Sequence, residues 1–318
     1  MRSTEPATST GPTLQDMVGR LPYAKGHGTG NDFILVADPL DVHSIEPGQV
    51  ARMCDRHRGI GGDGLIRAVP SSTLAEGRTI LETSPDAYWF MDYRNADGSL
   101  SEMCGNGVRV FVHFLVCENL VEMPVGATLP IGTRGGLKIV TRLEDGYAVD
   151  MGAWEFIHAQ AAATNGLDSR VETTGLAKVR GALSVSMGNP HTVVAIADTG
   201  ELEGIELTST PAVEPLPPHG TNVEYVLAAD PLVSGGRGSV RMRVHERGVG
   251  ETLSCGTGAC AAAIATRHWA QAHDIRQWSV QVPGGELGVG FVDGPDGLEH
   301  VVLSGPAVLV SRGEISAS

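Results

Sequence analysis

The sequence predicts an α+β protein of two pseudo-symmetric domains, each a mostly antiparallel sheet wrapped around one central helix. Three observations predict it. Cys104-Gly105-Asn106-Gly107, opening a long apolar run, recurs as Cys255-Gly256-Thr257-Gly258, opening an Ala-rich one. The landmarks before each copy also repeat in order: Met91 maps at the same offset onto Met242, and Gly30-Asn31 before Phe33-Ile34-Leu35-Val36-Ala37 resembles Gly188-Asn189 before Thr192-Val193-Val194-Ala195. Most remaining apolar runs are of strand length, and no feature demands β-α-β crossovers. The expected division is a disordered extension over 1–21, a first domain over 22–150 and a second over 151–305.

Taken in order, the first twenty or so residues are rich in Ser, Thr and Pro and lack a signal-peptide core. A glycine-dense turn at 26–32 leads into a buried strand at 33–37, and a helix follows from Pro47, with Val50, Met53 and Cys54 on one face. Strands are expected at 65–69, 79–82 and 88–94. The run Val108 to Val116 is too long for a typical strand and reads as a buried helix starting near Asn106, against its β-branched content. Three strands follow around 127–131, 137–143 and 147–151; the Ala/Thr/Gly-rich stretch 158–180 reads as a connector. Strands at 183–187, 192–196, 223–227 and 240–244 precede the second helix, which runs to about His268. Strands near 278–282, 287–292, 300–304 and 307–311 finish the chain.

Composition narrows the function. At 42% hydrophobic residues over 318, with no apolar stretch of transmembrane length, the chain reads as an ordinary soluble protein of the cytoplasm. A net charge of −14 argues against nucleic acid or an anionic membrane as partner. Only Lys25, Lys138 and Lys178 could serve as a Schiff-base lysine, which disfavours pyridoxal phosphate. Five thinly spread cysteines form no disulfide framework, and no C-x-x-C or H-x-x-x-H spacing suggests a metal. The expectation is a small-molecule substrate and no cofactor. Nothing fixes the oligomeric state, and a homodimer is compatible with the sequence.

Gly59-x-Gly61-x-x-Gly64 formally matches a dinucleotide fingerprint, but the strand follows it instead of preceding it, so a nucleotide site is rejected. The paired C-G-x-G segments are the strong signal. Each puts a thiol at a helix start, where free N–H groups and the positive dipole end lower the cost of negative charge. The glycines let a carboxylate approach the backbone. Two such thiols across one site suit removal of a proton from one face of a carbon and delivery to the other. Two structural cysteines in a duplicated fold would give the same pattern, as would a redox protein cycling Cys104 and Cys255 or an amino-acid-binding protein. His245-Glu246-Arg247 could hold an ammonium and a carboxylate, or be a solvated strand end. Asn31, Asn95, Asn189 and Asn222 sit in turns beside strands and together suggest a substrate cage, although a turn Asn often serves its own backbone. His191 could tune a neighbouring thiol.

On Gly30-Asn31-Asp32-Phe33, Gly59-Ile60-Gly61, Asn95-Ala96-Asp97-Gly98-Ser99, Cys104 to Arg109, Met187 to His191, Thr221-Asn222 and Glu246 to Cys260, the chain resembles the diaminopimelate epimerases. The segments stand in family order across about residues 23–312. The resemblance implies two similar domains with the site in the cleft between them, and a C-terminal strand, 306–318, that returns to the first. It implies that Cys104 and Cys255 interconvert LL- and meso-diaminopimelate without pyridoxal phosphate or metal, as proton donor and acceptor respectively from LL to meso. The N–H groups of Gly105, Asn106, Gly256 and Thr257 would hold the reacting carboxylate. Asn95, Asn189, Asn222, Glu246 and Arg247 would recognise the distal amino-acid centre, Asn31 would line the site, and His191 and Glu246 would influence thiol protonation. Gly64 departs from the family members that carry glutamine there.

Overall fold

In a computed structural model, which describes residues 20–316, the run opened by Cys104 is helical in spite of its β-branched content. Burial overrides propensity: Val108, Val110, Phe111 and Val112 have no solvent exposure, so the helix is held by packing on all sides.

The first half contains β1 (Arg20–Gly28), β2 (Asn31–Ala37), α1 (Pro47–Cys54), β3 (Gly64–Pro70), α2 (Ala75–Thr83) and β4 (Trp89–Asn95). The central helix α3 (Gly105–Cys117) and β5 (Thr128–Thr133), β6 (Gly136–Leu143) and β7 (Gly146–Ala153) complete it. The second half opens with β8 (Glu155–Phe156), α4 (Ala159–Asn165), β9 (Ser169–Glu172), β10 (Arg180–Ser186) and β11 (Pro190–Ile196). Then come α5 (Thr199–Gly204), β12 (Ala212–Glu214), β13 (Asn222–Ser234), β14 (Arg237–Glu246) and β15 (Gly250–Glu251). Its central helix α6 (Gly256–Trp269) is followed by β16 (Gln277–Val282), β17 (Gly285–Asp293), β18 (Glu299–Gly305) and β19 (Val308–Ser316). The fold is α+β and sheet-dominated.

The halves repeat strand for strand. The antiparallel pairs β1–β2, β3–β4, β5–β6 and β6–β7 recur as β10–β11, β13–β14, β16–β17 and β17–β18. Within this mostly antiparallel arrangement, each half also holds two parallel pairs. These are β2–β3 across α1 and β4–β5 across α3, then β11–β13 across α5 and β14–β16 across α6. A parallel neighbour needs a long crossover, and the helices supply it. α1 is the helix expected from Pro47, whereas α5 is only 6 residues long, too short for a helical period to announce it.

Two expectations fail. Residues 79–82, expected as a strand, lie in α2, since a short apolar run does not distinguish helix from strand. The connector at 158–180 carries α4 and β9.

The two halves are interleaved. β7 pairs with β18 along a seam, placing Val149 opposite Leu303. β8 continues past β7 to pair with β10, and β19 continues past β18 to pair with β1. Each half is therefore completed by a strand that follows the seam strand of the other. β1 begins at Arg20, within the expected extension, whose residues 1–19 lie outside the described residues. Among the described residues, no helix is long and apolar enough to cross a membrane.

α3 packs against β1, β2, β3, β7 and β19, and α6 against β10, β11, β13, β14, β16 and β17, so each sheet curls around its own helix. The halves also touch through the loop 29–30. Gly284 N–H donates to Leu253 O at 2.8 Å, and a Cβ on Gly284 would lie 1.8 Å from Thr29 O. Gly284→Ala should therefore cost roughly 1–3 kcal/mol in urea unfolding. A loss below about 0.5 kcal/mol would show that the contact is not tight.

Candidate active site

Cys104 and Cys255 are the N-cap residues of α3 and α6. Both have extended backbones (φ −137°, ψ 121° and φ −118°, ψ 116°), so each sulfur lies at the first turn of its helix, where the N–H groups have no intrahelical acceptor. The amides of Asn106 and Gly107 point at Cys104, and Gly258 N–H donates to Cys255 Sγ at 3.4 Å. Thr257 Oγ1 lies 3.6 Å from the same sulfur.

The two helix starts abut. Asn106 Nδ2 donates to both Ser254 O and Ser254 Oγ at 3.2 Å, and Ser254 Oγ meets Thr29 Oγ1 at 2.7 Å. A Cβ on Gly256 would lie 3.5 Å from Asn106 N, and Cβ atoms on Gly105 and Gly256 would each lie 2.8 Å from Leu303 Cδ2. One seam leucine thus fills the space beneath both glycine turns, and any side chain at either glycine would have to displace it. Behind Asn106, Arg109 is fully buried and donates from Nη2 to Asn106 Oδ1 at 3.0 Å. Burial draws this guanidinium down to about 10.

The polar residues form two groups. Beside Cys104, Asn31 Oδ1 accepts from the thiol at 3.3 Å and from Asn106 Nδ2 at 3.5 Å. On the second half, His191 Nδ1 lies 2.7 Å from Glu224 Oε1 with both side chains fully buried, and His191 Nε2 lies 3.2 Å from Asn189 Oδ1. Asn222 Oδ1 accepts Arg247 N–H at 2.9 Å, and Arg247 Nη1 donates to His219 O at 2.7 Å. Glu246 accepts from Thr252 Oγ1. Asn95 is not drawn into either group by its hydrogen bond: its Nδ2 donates to Ser99 Oγ at 3.0 Å, within its own turn.

Burial is the largest influence on both thiols. It pushes Cys104 up to about 11, against the Gly107 amide, with Glu246 adding repulsion. It pushes Cys255 well above the ordinary thiol value, and there Glu246 and Glu224 both add to it. Glu246 is itself raised by burial, partly offset by Thr252 and reinforced by Glu224. One carboxylate therefore bears on both sulfurs.

Sequence reasoning missed Glu224, Ser254 and the support given by Arg109. The available signals were a carboxylate within the apolar strand 223–227 and the lone cation in the run after Cys104.

The model of the family described as diaminopimelate epimerase matches residues 23–157 and 183–310. The chain belongs to the diaminopimelate epimerase family. Among relatives, it is 41% identical over 308 residues to the diaminopimelate epimerase of Streptomyces coelicolor, covering 95% of this chain and 98% of that one. It is 40% identical to the Rhodococcus opacus enzyme of the same name, covering 93% and 97%. Among solved structures, a phenazine-biosynthesis protein of the PhzF family from Bacillus anthracis superposes with a TM-score of 0.61 at 15% identity, covering 93% of this chain and 99% of that one. A hydroxyproline epimerase from Agrobacterium vitis gives 0.60 at 14% identity, covering 94% and 93%. These two share the fold. A Cβ on Gly64 would lie 2.4 Å from Arg94 O and 2.6 Å from the Tyr93 ring, so a side chain there would require the neighbouring strand to shift.

Thiols raised this far are protonated at neutral pH and ionise only as pH climbs. Without added substrate, iodoacetamide should therefore label Cys104 slowly at neutral pH and progressively faster toward a midpoint near 11. Fast labelling in mild acid would contradict the burial argument.

Proposed function

We propose that the protein interconverts LL- and meso-diaminopimelate by passing a proton between one α-carbon and two thiols, Cys104 and Cys255. The observation that carries this reading is the abutment of two helix N-termini, each capped by a cysteine. Family membership supports the class, an isomerase of amino-acid biosynthesis acting on a small molecule.

From LL to meso, Cys255, in the fraction of the enzyme in which it is ionised, takes the α-proton as the C–H bond breaks, and the Cys104 thiol delivers its own proton to the opposite face. The sulfurs exchange roles on the return. Atoms and charge balance with the two thiols alone, so the scheme requires no cofactor. The hard part is the weak acidity of the α-proton. Charge that develops on the carboxylate meets the N–H groups of Gly105, Asn106, Gly256 and Thr257, and donors of this kind are worth roughly 3–4 kcal/mol each in a water-excluded site. The positive ends of α3 and α6 add to the same field.

The distal amino-acid centre would meet Asn95, Asn189, Asn222, Glu246 and Arg247, with Asn31 lining the cavity and His191 and Glu246 influencing thiol protonation. Residues 22–150 with 306–318, and residues 151–305, would act as two domains that close on the substrate, and the interleaved strands β8 and β19 support a pivot at the seam. Cytoplasm is the proposed compartment, since both thiols must stay reduced. Both come from one chain, so the chemistry needs no second copy, whether or not a homodimer forms.

Purified protein should convert LL-diaminopimelate to the meso form under reducing conditions; no conversion would sink the reading. Cys104→Ala and Cys255→Ala should each lower kcat by about 10²–10⁴-fold with the circular dichroism unchanged. A near-normal rate in either variant would refute the two-thiol scheme. Arg247→Ala should raise KM by on the order of tenfold or more through loss of a carboxylate partner; unchanged kinetics would remove Arg247 from the site.

A further inference from the structure

The glycine-rich segment rejected above as a nucleotide fingerprint has a different geometry and a different consequence. It folds back on the end of α1: Ile60 and Gly61 N–H donate to Met53 O at 2.9 and 3.0 Å, and Gly62 N–H donates to Cys54 O at 3.2 Å. A Cβ on Gly59 would lie 2.1 Å from Arg52 O, and Gly61 takes φ +79°, so this close wrapping needs both glycines. The segment ends with Asp63 N–H on Asp32 O at 2.7 Å, which lays the Asp63 carboxylate beside Asn31.

Asp63 Oδ2 accepts from Asn31 Nδ2 at 2.6 Å and from Asp32 N–H at 3.1 Å, while Asp63 Oδ1 accepts from Arg56 Nη2 at 2.7 Å. Arg56 and Lys25 also pair with Asp32, at 2.7 and 2.9 Å. Burial works against the charge on Asp32, but these two cations overcome it and hold the carboxyl at about 2. The cluster is thus a fixed frame around Asn31.

A carboxylate only accepts hydrogen bonds, so Asp63 settles which way the Asn31 amide faces. The NH₂ group is turned to Asp63, and the carbonyl oxygen is left 3.3 Å from Cys104 Sγ. A carbonyl oxygen there accepts from a thiol and repels a thiolate. We infer that Asp63 is a positioning residue for Cys104: by holding the Asn31 amide in this orientation, it keeps Cys104 protonated. The inference rests on the reading of Cys104 as an acid–base group, and it assigns that group the proton it must deliver from LL to meso. The other ionisable groups that bear on Cys104 are Glu246 on β14, Arg109 on α3 and Tyr93 on β4, whereas Asp63 reaches it through Asn31.

The test reads Cys104 itself, so it is answered whether or not diaminopimelate is turned over. Iodoacetamide labelling of Cys104 would be followed by peptide mass spectrometry across pH in the wild type, Asp63→Asn, Asn31→Ala and the double variant. Half-buried Cys117, at the far end of α3, serves as the folding control. Asp63→Asn frees the Asn31 amide to turn its NH₂ toward sulfur, so Cys104 labelling at neutral pH should rise on the order of tenfold with Cys117 unchanged. In the Asn31→Ala background the same substitution should change Cys104 labelling by less than about twofold. Asp63→Glu, which keeps an acceptor, should stay within about twofold of wild type. The inference is overturned if Asp63→Asn leaves Cys104 unchanged, or if its full effect persists without Asn31, which would mean that the charge acts through space.

Discussion

The structure depends on holding two helix N-termini against each other. Free N–H groups at a helix start need acceptors, and two such starts in contact would ordinarily repel. Here the approach is held by side-chain hydrogen bonds that cross between the halves. Asn106 reaches Ser254, Ser254 reaches Thr29, and Arg109 braces Asn106 from below. Gly105 and Gly256 bring the backbones close over Leu303. The capping thiols stand at the two helix starts so brought together.

Charge around the two sulfurs is uneven although the fold is repeated. Arg109 lies beneath the first turn of α3, while its counterpart in α6 is Cys260. Glu224 and Glu246 both bear on Cys255, whereas the largest influences on Cys104 include Glu246 but not Glu224. Among the described residues no carboxylate pairs with Arg109, and Glu224 Oε2 has no hydrogen-bond partner. Buried ions this incompletely compensated are costly, and sites of chemistry are where such costs are retained. Duplication supplied two equivalent thiols, and the side chains around them give each its own environment.

Much of this was legible in the sequence because it was written twice. The helix over Val108 to Val116 contradicts its own propensity, yet the Ala-rich second copy carries the same C-G-x-G start and no such conflict. The parallel pairs were not legible. The helices from Pro47, near Asn106 and after Cys255 were each expected, but a helix alone does not say how the strands on either side of it pair. α5 is too short to show a period, and the run at 79–82 shows how little four residues reveal. Asn31 lies beside Cys104, and Asn189 and Asn222 lie in the polar group of the second half, while the Asn95 amide is engaged with Ser99, the behaviour of an ordinary turn asparagine. Asp63, Glu224 and Ser254 went unread because their roles come from distant partners. Asp63 lies 32 positions from Asn31, and Ser254 lies 148 from Asn106.

The central proposition is that two thiols serve opposite faces of one carbon, and the position of solvent hydrogen at low conversion tests it most directly. In deuterated water, starting from LL-diaminopimelate and sampling before the reverse reaction matters, the newly formed meso product should carry deuterium at the inverted carbon. The recovered LL substrate should remain unlabelled, because the thiol that removes the proton returns it to the face it came from. Deuterium appearing equally in substrate and product, or substrate-derived hydrogen retained in the product, would mean that a single base serves both faces, and the paired-thiol reading would fail.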